Sequence, residues 1–306
     1  MVYGCFVWLR ERLRLNTVQT ERLTFRIRTS GSADGVPLLL LHGSHATSRW
    51  WEPFFAILPD SIRAIAPDLR GCGQSTHSQD GYEIEEQAED IAELVQALSL
   101  SDFDLAGHGS GGAIAIEYAL RHGQQLHSLI LVDSVPIEGA FTPLQGLQLL
   151  SQMRADRSLL SQALSALLPA APPPTMTEQE FDTFFELLVD DAAAMAPAAF
   201  TAVAEALGRW NRQEEAHRVT LPTLLILGTE DIVVERDAAT RSLLAIPGAA
   251  NLEILRGIGH SPMIESPVVL AERIIEFITE EFDSFEEARD YAQEGATDAD
   301  ESKGIE

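Results

Sequence analysis

Short apolar runs, rich in leucine and β-branched residues, alternate along this chain with longer segments of helical periodicity. Runs that are apolar on both faces are typical of strands buried inside a parallel sheet. The alternation therefore predicts an α/β protein with a doubly wound, mostly parallel sheet. The predicted strands are Leu23–Arg28, Pro37–Leu41, Ile62–Ala66, Phe103–Ala106, Leu129–Val132, Thr223–Leu227 and Leu252–Leu255. The predicted helices are Trp50–Leu58, Ile84–Leu98, Gly112–Arg121, Ala238–Leu244 and Val268–Phe277.

One long segment interrupts the alternation. Residues 137–219 are rich in alanine, leucine and glutamine and carry only helical patterns. We predict that they form a helical cap inserted into one α/β core made of residues 21–136 and 220–280. Residues 1–20 are interpreted as an N-terminal extension, and residues 281–306 as an acidic tail, expected to be disordered because the hydrophobic pattern ends there and negative charge accumulates.

Charge and cysteine content exclude several classes of function. The net charge is −26, and a surface this acidic repels phosphate backbones and anionic lipid headgroups. Cys5 and Cys72 are the two cysteines, too few for a disulfide framework and without Cys-x-x-Cys spacing. We expect a cytoplasmic protein with a small-molecule substrate and with no membrane span, nucleic-acid partner, metal or cofactor. The sequence leaves the oligomeric state open.

Glycine-rich polar motifs follow the carboxyl ends of the predicted strands. The motifs are His42-Gly43-Ser44, Asp68-Leu-Arg70-Gly-Cys-Gly-Gln-Ser75, Gly107-His108-Gly109-Ser110-Gly111, Gly228-Thr-Glu-Asp231 and Gly257-Ile-Gly-His260. Together they resemble the α/β-hydrolase family over roughly residues 22–280, and the resemblance implies a nucleophile, an acid and a histidine in that chain order.

The nucleophile position is the unusual feature. The family's elbow reads Gly-x-Ser-x-Gly, and aligning its small residues with Gly107 and Gly111 places Gly109 where the serine belongs. A register shifted by one residue would make Ser110 the nucleophile, but it would put the imidazole of His108 where the crowded turn requires a small side chain. We favour Gly109 in the slot and keep Ser110 as a possible nucleophile.

The remaining site residues follow from the same resemblance. Asp231 would orient His260, the catalytic histidine, and the adjacent Glu230 is the alternative acid. Gly43 would let its loop turn so that the backbone N–H of Ser44 faces a substrate oxygen, and the N–H of Ser110 would be the second oxyanion donor. The predicted substrate-contacting residues are His42, Trp50, Trp51 and Phe141.

Three functions are compatible with a missing serine. The leading prediction is an enzyme in which His260 and Asp231 act as a general base on water or substrate, with an apolar cap that favours a small, largely hydrophobic carbonyl or ester-type substrate. The second is a serine esterase that uses Ser110. The third is a non-catalytic ligand-binding protein that keeps the pocket of a hydrolase.

Overall fold

The computed structural model describes residues 13–279, without the side chains of residues 250 and 251. The first twelve residues, with Cys5, and the predicted acidic tail at 281–306 lie outside the described residues. No helix within residues 13–279 combines the length and the apolar character needed to cross a membrane.

Eight strands in residues 13–279 form a single sheet in the order β1-β2-β4-β3-β5-β6-β7-β8. Neighbouring strands from β4 through β8 run parallel, whereas β2 pairs antiparallel with both β1 and β4. The predicted α/β fold with a mostly parallel sheet is confirmed. The strands are β1 (Arg14–Gln19), β2 (Thr24–Ser30), β3 (Val36–Leu41), β4 (Ile62–Pro67), β5 (Phe103–His108), β6 (Leu126–Val132), β7 (Thr223–Gly228) and β8 (Ala249–Leu255).

Strand β1 lies in the segment that the sequence analysis assigned to an N-terminal extension. It is an edge strand, and almost all of its residues are exposed, so it carries no apolar run for a pattern search to detect. It pairs antiparallel with β2, Val18 opposite Phe25 and Arg14 opposite Thr29. By contrast, Leu38–Leu41 at the centre of the sheet are fully buried and form the apolar run that the sequence displays.

Helices connect the parallel strands. Their bounds are α1 (Glu52–Phe55), α2 (Ile84–Ala97), α3 (Ser110–His122), α4 (Leu144–Ala155), α5 (Arg157–Ala166), α6 (Glu178–Ala193), α7 (Ala199–Arg209), α8 (Arg236–Ala245) and α9 (Pro262–Glu265), and residues 267–279 are also helical.

The insertion between β6 and β7 contains α4 to α7 and, among its described residues, no strand. It packs on the loops that follow β3 and β4. The N–H of Ala196 donates to the carbonyl of Gly71 at 2.8 Å, and Nε2 of His45 donates to the carbonyl of Phe200 at 3.1 Å. The insertion thus lies at the carboxyl edge of the sheet, where ligands bind in open α/β folds.

Asp104 is a buried carboxyl on β5. It is 0% exposed; its Oδ1 accepts a 2.6 Å hydrogen bond from Ser128, and its Oδ2 has no hydrogen-bond partner within the described part of the chain. Burial raises the pKa of Asp104 from its ordinary value of 3.8 to about 6, although the hydroxyl of Ser128 and the charge of His127 oppose this.

We expect Asp104→Asn to change the pH dependence of stability. Because the folded-state pKa is raised, the folded chain holds the proton longer than the unfolded chain, and stability falls as pH rises from about 4 to about 6. The asparagine does not ionise and therefore avoids this loss. Between pH 4 and pH 7, the free energy of unfolding of the variant should rise relative to that of the parent protein by roughly 1–3 kcal/mol. Urea unfolding of both proteins at pH 4 and pH 7 measures this difference. A free energy of unfolding that changes equally with pH in the two proteins would contradict the prediction.

Candidate active site

A sharp turn joins β5 to α3. Strand β5 ends at His108, helix α3 begins at Ser110, and Gly109 between them has φ +54° and ψ −121°. Only glycine adopts this left-handed region without steric cost. The carbonyl of Gly109 accepts hydrogen bonds from the N–H groups of Gly112 at 3.1 Å and Val135 at 3.0 Å, which hold the turn in place.

Close backbone contacts explain the other glycines of this turn. A Cβ on Gly107 would lie 2.4 Å from the carbonyl oxygen of Gly111, and one on Gly111 would lie 2.5 Å from the carbonyl oxygen of His42. Neither position accepts a side chain without backbone movement. In the structure, Gly107 and Gly111 therefore flank the tip residue Gly109 on its two sides.

The position that a side chain at residue 109 would occupy faces the imidazole of His260. An ideal Cβ there would lie 3.3 Å from Nε2 of His260 and 3.6 Å from Cα of Gly43. A hydroxymethyl group at this position would thus contact the histidine on one side and the loop after β3 on the other. Glycine leaves that small volume free of protein atoms.

Asp231 holds His260 in orientation. Nδ1 of His260 donates a 2.9 Å hydrogen bond to Oδ2 of Asp231, while Oδ1 accepts from the N–H groups of Val233 at 2.6 Å and Val234 at 3.1 Å. Burial by itself would raise the pKa of Asp231, but His260 and these two N–H groups hold it below its usual value. With Nδ1 as the donor, Nε2 carries the basic lone pair and points toward Gly109.

Two further side chains hold the His260 loop. Nε2 of His108 donates a 2.7 Å hydrogen bond to the carbonyl of His260. Burial, followed by the charge of His260, lowers the pKa of His108 to about 3, so this ring is neutral at pH 7. The Glu265 carboxylate accepts from the N–H groups of Gly259 at 3.0 Å, Ser261 at 3.0 Å and Ala170, in the insertion, at 2.9 Å.

The two residues predicted to supply the oxyanion donors, Ser44 and Ser110, are in contact through their hydroxyls. Oγ of Ser44 donates to Oγ of Ser110 at 3.0 Å, which brings the loop after β3 to the start of α3. No hydrogen bond within residues 13–279 joins Ser110 to His260, although a nucleophilic Ser110 would need one. Ser110 stands at the N-terminus of a 13-residue helix, where backbone N–H groups favour negative charge.

The predicted substrate-contacting residues have other surroundings. Both ring nitrogens of His42 bond to backbone: Nδ1 donates to the carbonyl of Gly43 at 2.8 Å, and Nε2 accepts from the N–H of Leu69 at 2.9 Å. His42 therefore shapes the loop, because no ring nitrogen is left for a ligand. Phe141 is 83% exposed and packs beside Gly208 on the insertion.

Both indoles are core residues instead of exposed pocket walls. Trp50 is 1% exposed and stacks on His108 with 6.3 Å between ring centroids. Trp51 is fully buried and meets Phe54 edge to face at 5.6 Å. Their sequence positions gave no sign of this, since an aromatic pair after a motif loop is equally compatible with a pocket and with the core.

Sequence reasoning assigned no role to Asp133, which directly follows β6. Oxygen atoms of Asp133 and Asp231 and a ring nitrogen of His260 lie within 4.8 Å of one another. This spacing would suit a metal ion, but the hydrogen bond between Asp231 and His260 already uses the donor atoms that would bind it. One feature of the sequence could have indicated a role for Asp133: it is an acidic residue directly after a buried strand. In the structure that strand, β6, pairs with β7, the strand that precedes Asp231.

Comparison with known proteins supports the resemblance found in the sequence motifs. The alpha/beta hydrolase family profile matches residues 38–273. An uncharacterized protein of Mycobacterium tuberculosis is 28% identical over 291 residues, which cover 90% of this chain and 82% of that protein. The 2-hydroxymuconate semialdehyde hydrolase of Pseudomonas sp. strain CF600 is 28% identical over 282 residues, covering 85% and 93%.

A solved structure shares the whole fold. A putative lipase of Acinetobacter baumannii superimposes with a TM-score of 0.78 at 22% identity, covering 93% of this chain and 98% of that one. The fold of this chain is therefore shared with that protein over almost the full length of both chains.

We expect Glu265→Gln to destabilise the fold and loosen the His260 loop. The amide nitrogen of glutamine cannot accept a hydrogen bond, so at least one of the three backbone N–H groups loses its partner, at a cost of about 1–3 kcal/mol in free energy of unfolding. Urea unfolding measures the loss. Glu276→Gln, in the exposed ion pair with Arg273, is the matched control and should unfold like the parent; equal stability of both variants would refute the role assigned to Glu265.

Proposed function

This chain belongs to the α/β-hydrolase family, and on that premise we propose that it is an enzyme acting on a small, largely apolar carbonyl or ester-type substrate by general-base chemistry, without a serine nucleophile. One observation carries the proposal. The free volume at Gly109 lies opposite Nε2 of His260, and Nδ1 of the same ring is held by Asp231. The site thus presents an oriented base to a space that a water molecule or a substrate atom would fill.

The proposed reaction begins with proton transfer. Water bound where a serine hydroxyl would lie gives its proton to Nε2 of His260, and its oxygen attacks the substrate carbonyl. The negative charge of Asp231 stabilises the resulting imidazolium. When the tetrahedral intermediate collapses, His260 returns the proton to the leaving group. A substrate with an acidic C–H bond would instead give its own proton to the same nitrogen.

Developing negative charge would be held by backbone donors. The N–H groups of Ser44 and Ser110 have no acceptor among the hydrogen bonds of residues 13–279, and the bond between the two hydroxyls keeps them side by side. Preorganised donors of this kind contribute about 3–4 kcal/mol each to transition-state stabilisation. They favour a substrate with a carbonyl oxygen, the group in which such charge develops.

The name of one relative supports a carbonyl substrate. The Pseudomonas relative is named for a semialdehyde, which is a small carbonyl compound. In this chain the helical insertion, which we propose acts as a cap, packs on the loop that carries His45 and on Glu265 at the end of α9. A cap in contact with both would exclude bulk water and select for apolar substrates.

We expect a fluorophosphonate probe to leave the natural protein unlabelled and to modify Gly109→Ser. The new hydroxyl would lie next to Nε2 of His260, and the cost of a non-glycine residue at this φ is about 1–3 kcal/mol. Labelling followed by peptide mass mapping measures the adduct, and circular dichroism verifies that the variant folds.

The double variant Gly109→Ser with Ser110→Ala is the control for this labelling. It should remain reactive, because the adduct forms at position 109. Labelling of the natural protein at Ser110 would contradict the proposal and favour a serine esterase with a shifted nucleophile.

We expect His260→Ala to lower turnover of small apolar esters and carbonyl compounds by about 10²–10⁴-fold, the usual contribution of a general base. Initial rates for a panel of such substrates measure the loss. His217→Ala is the matched control, because His217 is exposed and bonds to the backbone carbonyl of Glu214.

Equal rates for the natural protein and His260→Ala would refute the role of His260. Saturable binding of these substrates without turnover by the natural protein would favour the third function, a ligand-binding protein built on a hydrolase fold.

A further inference from the structure

Asp133 is a buried carboxyl that the proposed mechanism does not use. It is 0% exposed and directly follows β6, where its N–H donates to the carbonyl of Ile226 at 2.8 Å. Its Oδ1 accepts a 2.8 Å hydrogen bond from the N–H of Gly228 at the end of β7. No hydrogen-bond donor among residues 13–279 contacts its Oδ2.

The backbone has an uncommon conformation at this residue. Asp133 has φ +43°, in a left-handed region that aspartate enters more readily than most non-glycine residues. Surrounding contacts hold a residue in this conformation. The contacts of Asp133 with β7 supply that fixation and direct its carboxyl toward the loop of Asp231.

The carboxylates of two other acids, Asp231 and Glu265, act on Asp133. One of its oxygens lies within 4.8 Å of an oxygen of Asp231 and of a ring nitrogen of His260, and the charge of Glu265 also acts on it. Two ionised carboxylates at this separation, out of contact with water, repel each other strongly. A proton on one of them converts the repulsion into a hydrogen bond.

We propose that Asp133 is a neutral positioning acid that donates its carboxyl proton to Asp231 and thereby holds the Asp231–His260 pair against the volume at Gly109. The proton stays on Asp133 because Asp231 is the better stabilised anion: it has His260 and two backbone N–H groups as donors, whereas Asp133 has one, from Gly228. Burial, followed by the charge of Asp231, raises the pKa of Asp133 well above its usual range, in agreement with this assignment.

The same short segment also supports the turn at Gly109. The N–H of Val135 donates to the carbonyl of Gly109 at 3.0 Å, and Ser134 packs so closely on Gly112 that a Cβ there would lie 2.0 Å from the serine Oγ. Residues 133–135 thus lie between Asp231 and the turn that borders the free volume at Gly109. The catalytic role of the Asp231–His260 pair rests on the proposed function, whereas the protonation of Asp133 does not.

Carboxyl-carbon NMR of protein labelled with ¹³C at the aspartate carboxyls tests the protonation state without any substrate. The signal of Asp133, identified by its absence in Asp133→Asn, should have the chemical shift of a neutral carboxylic acid at pH 7. Asp104, which is also fully buried but bonds to Ser128, is the matched control, identified through Asp104→Asn, and should titrate near pH 6. A carboxylate shift for Asp133 at pH 7 would overturn the proposal.

The proton on Nδ1 of His260 tests the positioning role. Its low-field resonance should persist in Asp133→Asn, because an amide N–H can donate to Asp231 in place of the acid, and should be lost or broadened in Asp133→Ala. An unchanged resonance in Asp133→Ala would overturn the positioning role. If Asp133→Ala does not fold, loss of the resonance in the folded Asp133→Asn variant would overturn it instead. Neither signal depends on turnover, so failure of the proposed catalysis would be seen separately.

Discussion

The hydrogen bond between Asp231 and His260 joins the loops after β7 and β8, and the geometry of the site depends on it. It fixes which ring nitrogen is basic and directs that nitrogen at Gly109. The surrounding contacts serve this bond: His108 and Glu265 hold the histidine loop, and backbone N–H groups hold the acid. Without these supports, a loop-borne imidazole would sample many orientations and lose its value as a base.

The turn at Gly109 leaves the proposed active site without a side chain where the family has its serine. A nucleophile elbow normally tolerates strain so that it can present a serine. With Gly109 the strain is absent, and the volume next to His260 is open to another occupant. Because Asp231, His260 and the paired Ser44 and Ser110 surround this volume, we propose that water or the substrate itself occupies it.

The insertion and the core are coupled through the same loops. Glu265 accepts hydrogen bonds from both the histidine loop and Ala170 of the insertion, and His45, next to Ser44, bonds to the carbonyl of Phe200 on α7. We therefore expect movement of the insertion to shift the His260 loop and the loop after β3 together.

The sequence by itself determined the α/β class, the helical insertion and the order in which the turn, the acid and the histidine follow their strands, because periodicity and strand-end motifs are local properties of the chain. It missed the exposed edge strand β1, and it gave no sign that His42 has both ring nitrogens bonded to backbone. It also assigned nothing to Asp133. Such features depend on which strands become neighbours and on what remains to pair with a buried polar atom, and only the tertiary structure decides that.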